Sequence, residues 1–165
     1  YIMKLKVNKC SSGVDNSKKD FDASICVLNE DLSQKIVSSK RFANRLSGFK
    51  SYLNWLRRHC KEDSAHILME ATGVYHESLA IFLLDHGLMV SVVLPNKSKK
   101  FIEALGYKSK TDKGDAKALG IMCLSQKFDR FKPIQKYYYQ LRVITRYYQS
   151  LQETKTSIIN QIEAL

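Results

Sequence analysis

An α/β fold is predicted, with a mixed sheet flanked by helices and a long helix at the C-terminal end. Three observations predict it: residues 21–38 read as a β-hairpin, residues 66–94 as strand, helix and strand, and residues 137–165 as an unbroken heptad pattern. A hairpin supplies antiparallel strands, and a strand-helix-strand unit supplies parallel ones joined by a right-handed crossover, so the sheet has to be mixed. At 165 residues and 44% hydrophobic, the chain can bury one core without disulfide staples.

Residues 7–15 must supply a first strand if the sheet is to have a core, although Lys9, Cys10, Ser11 and Ser12 make it polar. Residues 21–29, FDASICVLN, alternate and carry β-branched and aromatic side chains; Ile36 and Val37 mark the partner strand over 35–38, and Asn29-Glu30-Asp31 forms the turn. Ser47 is the N-cap candidate for a helix over 47–60, where Phe49, Leu53, Leu56 and Cys60 recur at helical spacing.

Residues 66–71, HILMEA, form a short apolar run holding one carboxylate, Glu70, and the turn residues Thr72-Gly73 follow at once; this pattern predicts a buried strand. Leu79, Phe82 and Leu83 place a helix over 75–86 with Gly87 as its stop, and 88–94 is a second buried strand closed by Pro95. Beyond Pro95 lysine dominates. Residues 109–112 run into a helix that continues to about 126 on the apolar face of Ala116, Leu119, Met122 and Cys123. Finally Tyr137, Leu141, Ile144, Tyr148, Leu151, Lys155, Ile158, Ile162 and Leu165 follow a strict 4-3 alternation, a heptad seam with one polar member. Four heptads without a cap, Gly or Pro at their end are expected of a fragment rather than of a complete domain.

Lys and Arg outnumber Asp and Glu by 27 to 16, a net charge of +11 that favours a polyanionic partner, nucleic acid ahead of an anionic membrane surface. No run of 18 apolar residues and no signal-like apolar start is present, so a cytoplasmic location without a membrane span is expected. Cys10, Cys26, Cys60 and Cys123 are far apart and make no CxxC pair, which argues against zinc and redox motifs and for reduced, partly buried thiols. His59, Cys60 and His66 are too few to complete a soft-metal site.

The residues that carry chemistry are carboxylates. Asp15 follows the first strand, Glu70 ends a parallel strand, and Asp112 and Asp115 stand three residues apart on one helical face, an arrangement that suits an RNase H-like active site. Oxygen ligands of this kind suit hard cations such as Mg²⁺ or Mn²⁺, and two such ions can stabilise both oxygens of an in-line phosphodiester displacement. Lys18, Lys97, Lys99, Lys100, Lys108, Lys110, Lys113 and Lys117 are the candidates for holding flanking phosphates. Taken singly, each feature has a plainer explanation: acidic residues complement a helix N-terminus, a turn Asp opens a hairpin, and a lysine run is a solvated face.

The local sequence around the carboxylates outweighs those explanations. The stretch Gly13-Val14-Asp15-Asn16-Ser17-Lys18 resembles the G-[IV]-D-[VI]-S-K opening of the N-terminal DEDD domain of the IS110-family transposases, which include the Piv-type DNA invertases. Glu70-Ala71-Thr72-Gly73-Val74-Tyr75 is similar to that family's E-[AP]-T-G-x-Y block, Leu94-Pro95 to its next strand and N-P turn, and Lys110-Thr111-Asp112-Lys113-Gly114-Asp115-Ala116 to its K-T-D-x-x-D-A block. The order and spacing agree over residues 13–165. Asn16 and Gly114 depart from it, each replacing an apolar residue, and neither touches a carboxylate.

The resemblance implies a RuvC-like branch of the RNase H-like fold in residues 1–132, with Asp15, Glu70, Asp112 and Asp115 as catalytic metal ligands for two Mg²⁺ or Mn²⁺ ions. It implies a coiled-coil helix over 133–165 that stops before a C-terminal transposase domain. That domain carries the family's serine nucleophile, whose motif is absent here, so no serine of this chain is given that role. The function expected is metal-dependent DNA strand cleavage and exchange by a transposase or site-specific recombinase, with room for guidance by a structured RNA and for a homodimer or higher oligomer through the C-terminal helix. The competing readings are a RuvC-like structure-specific nuclease and a non-catalytic nucleic-acid-binding module. For the module, Phe128, Arg130, Phe131, Lys132, Tyr137 to Tyr139, Arg142, Arg146, Tyr147 and Tyr148 would interleave stacking with charge.

Overall fold

A computed structural model of the chain describes residues 7–60, 65–106, 112–133 and 136–164, with side chains for all of these except residues 7, 112, 113, 136 and 137. Five strands form one sheet: β1 (Val7–Asn16), β2 (Asp20–Asn29), β3 (Gln34–Ala43), β4 (Ala65–Glu70) and β5 (Met89–Val93), in the order β3-β2-β1-β4-β5. The pairs β1/β2 and β2/β3 are antiparallel and the pairs β1/β4 and β4/β5 are parallel, the mixture that the hairpin and the crossover require. The helices are α1 (Leu46–His59), α2 (Glu77–Asp85), α3 (Pro95–Ala104), α4 (Asp112–Ser125) and α5 (Lys136–Glu163).

Each sheet face has its own helical layer, because successive strand side chains point to opposite sides. Val14, Phe21, Ala23, Ile25 and Val27 join Phe49, Tyr52, Leu53 and Leu56 of α1 and Leu79 and Leu83 of α2 in the larger core. On the opposite face Leu68 and Val93 pack with Leu119, Met122 and Cys123 of α4, and Phe101 of α3 covers their edge. The serines that made β1 look too polar for a strand have specific partners. Ser11 Oγ donates to the carbonyl of Gly120 at 2.8 Å, and Tyr52 Oη donates to Ser12 Oγ at the same distance, so both hydroxyls are buried without loss.

Several expectations need correction. Ser47 does not cap α1: the helix starts at Leu46 with Arg45 as its extended N-cap residue. The reason is a tight turn, since Gly48 packs so closely on the Ala43 carbonyl that a Cβ there would overlap it. The second hairpin strand runs over all of Gln34–Ala43, because its outward positions on the sheet edge are polar and hide the period from a search for apolar runs. The helix after β4 starts at Glu77, two residues later than expected, and the lysine-rich segment after Pro95 is itself a helix, α3, with Pro95 in its first turn. Cys10 and Cys60 are joined in a disulfide, with Cα atoms 5.9 Å apart, and are not free thiols. Cys10 lies on the β1 face that α1 covers and Cys60 is the C-cap of α1, a juxtaposition that 50 residues of separation conceal. Cys26 and Cys123 are free and buried, and burial pushes both thiols up to about 12, which keeps them neutral and unreactive.

The chain divides into two compact units, Tyr1–Phe131 and Lys132–Leu165. Within the second, α5 presents Leu141, Ile144, Tyr148, Leu151, Ile158 and Ile162 to solvent. Among the described residues, no helix is long and apolar enough to cross a membrane.

Candidate active site

The candidate site lies at the C-terminal ends of the central parallel strands. Val14 of β1 is in register with Met69 of β4, so the next residue on each strand brings Asp15 beside Glu70. Gly13 and Leu68, one residue earlier and also in register, face α4; Asp15 and Glu70, two residues further along their strands, face the same way. Both are partly buried.

Two glycines set how α4 lies over this row. A Cβ on Gly13 would overlap the Ala116 carbonyl and the Gly120 amide, so helix backbone rests directly on strand backbone. Ser11 Oγ meets the Gly120 carbonyl, while Gly13 lies against both the Ala116 carbonyl and the Gly120 amide, so travel along β1 toward Asp15 runs back along α4 toward its first turns. Asp15 is two residues beyond Gly13 on β1, and Asp115 and Asp112 lie in the first turns of α4, toward which this direction leads. Asp115, one turn along from Asp112, is 7% exposed. The side chain of Asp112 lies outside the described ones. Among the described residues, no group of three or more His, Cys, Asp or Glu side chains is close enough to hold a metal ion.

Glu70 is held from two sides. Ser98 Oγ, fully buried on α3, donates to Glu70 Oε2 at 2.6 Å, and Thr72 Oγ1 approaches Oε1 at 3.4 Å. Neither Ser98 nor the helix that carries it was anticipated from the sequence. The available signal was Pro95, which fits the first turn of a helix as well as the end of a strand, and which places Ser98 one turn in.

A further carboxylate was also missed. Asp22 of β2 is in register with Asp15 on one side and with Arg41 of β3 on the other, and it is 6% exposed. Arg41 Nε donates to both Asp22 oxygens at 3.2 and 3.1 Å, and Nη2 donates to Oδ2 at 2.5 Å. The sheet therefore carries an unbroken row, Arg41, Asp22, Asp15 and Glu70, across four neighbouring strands on the α4 side.

The candidate lysines are distributed unevenly. Lys97, Lys99 and Lys100 are exposed on α3, Lys97 with its ammonium 4.9 Å from the Phe128 ring centre, and Lys18 is exposed in the turn that follows Asp15 and Asn16. Lys117 is partly buried on α4. Lys108 and Lys110 lie outside the described residues, as does the side chain of Lys113. Of the aromatic and basic set near the C-terminal end, Phe131 packs against the larger core and meets His76 edge to face, while Tyr138, Tyr139, Tyr147 and Tyr148 are exposed on α5.

The architecture is that of the RuvC-like resolvases, a branch of the RNase H-like fold. RuvC of Thermus thermophilus in complex with a Holliday junction matches 69% of this chain and 91% of its own with a TM-score of 0.52 at 12% identity, and the fowlpox virus Holliday junction resolvase matches 70% and 97% with a TM-score of 0.51 at 15% identity. At such identities the likeness concerns the fold. The family is shown by the sequence: a model of the IS110-type DEDD transposases, described as transposase, matches residues 12–165, and this chain belongs to that family. The pilin gene-inverting proteins of Moraxella lacunata and Moraxella bovis are each 34% identical to it over 111 residues, 67% of this chain. The chain spans about a third of the length of these relatives, 33%.

Proposed function

We propose that this chain is the catalytic domain of a DNA transposase or site-specific recombinase, and that Asp15, Glu70, Asp112 and Asp115 form its divalent-metal site. The observation that supports the proposal is the register of the sheet, which sets Asp15 beside Glu70, together with the direction of α4, whose first turns lie toward the same end of β1. The donor set is all oxygen, the chemistry preferred by Mg²⁺ and Mn²⁺ over softer metals. When bound, a pair of such ions supplies charge stabilisation to the attacking and leaving oxygens of a phosphodiester.

The chain's own residues do the positioning. Asp15 and Glu70 stand on neighbouring strands inside the sheet, and Ser98 restrains the Glu70 carboxylate from α3. Lys18, Lys97, Lys99 and Lys100 supply positive charge around this end of the sheet for the flanking phosphates. A structured RNA guide, and a homodimer formed through α5, are the partners that the family and the exposed seam suggest.

The test is neutralisation of single carboxylates in the full-length protein. Asp15→Asn and Asp112→Asn should each abolish metal-dependent strand cleavage while leaving the circular dichroism spectrum and unfolding midpoint near wild type. Like charges that share a site repel until a cation arrives, so the unfolding midpoint without metal is expected to stay level or rise. Cleavage at the wild-type rate in either variant overturns the assignment. The second reading, a RuvC-like structure-specific nuclease, rests on the fold alone; joined product in a strand-transfer assay supports recombination, and hydrolysed product only supports the nuclease.

A further inference from the structure

The pairing of Asp22 with Arg41 points to a role that charge neutralisation alone does not explain. A buried Asp needs a countercharge, and Arg41 provides it through a planar fork that fixes the guanidinium. What is unusual is the location: Asp22 stands directly across from Asp15, and Arg41 directly across from Asp22, on the sheet face that carries Glu70. Two strand spacings, about 10 Å, separate Arg41 from Asp15. Ser24 and Ser39, the neighbouring pair on the same face, are joined Oγ to Oγ at 2.8 Å, which confirms that β2 and β3 keep this register up to Arg41. The Arg41 side chain remains 52% exposed although the Asp22 side chain is only 8% exposed, so the cation sits at the open end of the row and its anion at the closed end.

We infer that Arg41, held in place by Asp22, binds a phosphodiester of the DNA strand that enters the carboxylate site. This rests on the proposed DNA-processing role of that site and adds a specific anion subsite to it. A guanidinium is suited to the task because it stays charged, matches phosphate oxygens in shape, and loses little freedom on binding when a carboxylate already orients it. Asp22, being paired, is correspondingly withdrawn from competition with Asp15 for a cation.

The experiment measures DNA affinity of the full-length protein across a salt series. Removing Arg41 alone strands Asp22 without a partner, so the informative variant is the neutral pair Asp22→Asn with Arg41→Gln, of similar shape. For wild type, log affinity should fall linearly with log salt; in the double variant the slope should be smaller by about one, the loss of one phosphate contact, with an unfolding midpoint close to wild type. Arg41→Lys, which keeps the charge, should keep the slope. An unchanged slope in the double variant overturns the inference, and a slope that changes on RNA of the same length but not on DNA overturns the assignment to DNA. Should the double variant fail to fold, phenylglyoxal modification of wild-type Arg41, followed by mass spectrometry, gives the same decision: protection by DNA supports the contact, and equal modification with and without DNA refutes it. A wild-type protein with no salt-dependent DNA affinity would instead bring down the proposed function itself.

Discussion

His66 shows how a single residue couples the fold to pH. It is half-buried on β4, its Nε2 is 2.8 Å from Ser91 Oγ, and the Ser91 hydroxyl donates to the carbonyl of Asp129 at 2.7 Å. With that hydroxyl hydrogen committed, Nε2 is the donor toward Ser91. Burial first, and the Arg130 charge second, lower the pKa of His66 in the folded protein. The unfolded chain therefore takes up a proton at higher pH than the folded one, so stability is unaffected above the ordinary histidine value and declines as pH falls through it, levelling off below the lowered value. Urea unfolding of wild type and His66→Gln should diverge below about pH 6.5, wild type losing more stability on acidification. Parallel curves would show that His66 does not titrate differently on folding. The candidate site residues differ in how far local sequence marks them. Asp15, Glu70, Asp112 and Asp115 each sit in a short local motif, whereas Asp22 and Arg41 are 19 residues apart with nothing in either neighbourhood to mark the pair. Only strand register brings them together.

The contact between β1 and α4 is the element on which the site depends. Gly13 and Gly120 face each other with so little space that a Cβ on Gly13 overlaps helix backbone and one on Gly120 lies 2.6 Å from Cys26 Sγ. Backbone cannot step aside as a flexible side chain can, so Gly13→Ala should lower stability by about 3 kcal/mol and shift α4 away from Asp15. Gly87→Ala is the control: its φ of +78 is strained for alanine, but nothing stands within 4 Å of the added carbon, and the cost should be about 1 kcal/mol. Equal shifts in unfolding midpoint would contradict the close packing. Among the elements, the parallel strands and α4 were readable because buried apolar runs leave a strong signal. The helix α3 was not, since Lys97, Lys99 and Lys100 resemble a solvated linker and its one fully buried side chain is a serine. The heptad expected over residues 137–165 falls on α5, where Ile144 and Leu151 are 65% and 51% exposed. Burial of such a stripe against a second copy would contribute roughly 25 cal/mol per Å², so association through this face is the expectation. Ile144→Asp with Leu151→Asp should convert a dimer to a monomer in sedimentation, and an unchanged mass would refute pairing through this face.

At the scale of the whole molecule, the question is how much of the reaction these 165 residues can support. The net charge of +11 predicts affinity for nucleic acid in the chain by itself. Each phosphate that a lysine or arginine neutralises releases condensed counter-ions, so binding should weaken linearly in log salt, and its slope reports the number of contacts. Metal affinity is expected as well, because all four carboxylates belong to this chain. Recombination is not. Strand exchange requires the reacting groups to be held in near-attack positions, and the nucleophilic serine that the family resemblance implies belongs to a domain whose motif this chain lacks. The chain also spans only 33% of the length of the pilin gene-inverting proteins it matches. The decisive comparison sets the 165-residue chain beside a full-length protein in two assays, salt-dependent DNA binding and formation of joined product. Binding by both with joined product from the longer protein alone is the expected outcome. Joined product from the 165 residues would place the nucleophile within them. Binding that is absent, or indifferent to salt, would remove the basis for reading the lysines of α3 and the turn after β1 as a phosphate-holding surface.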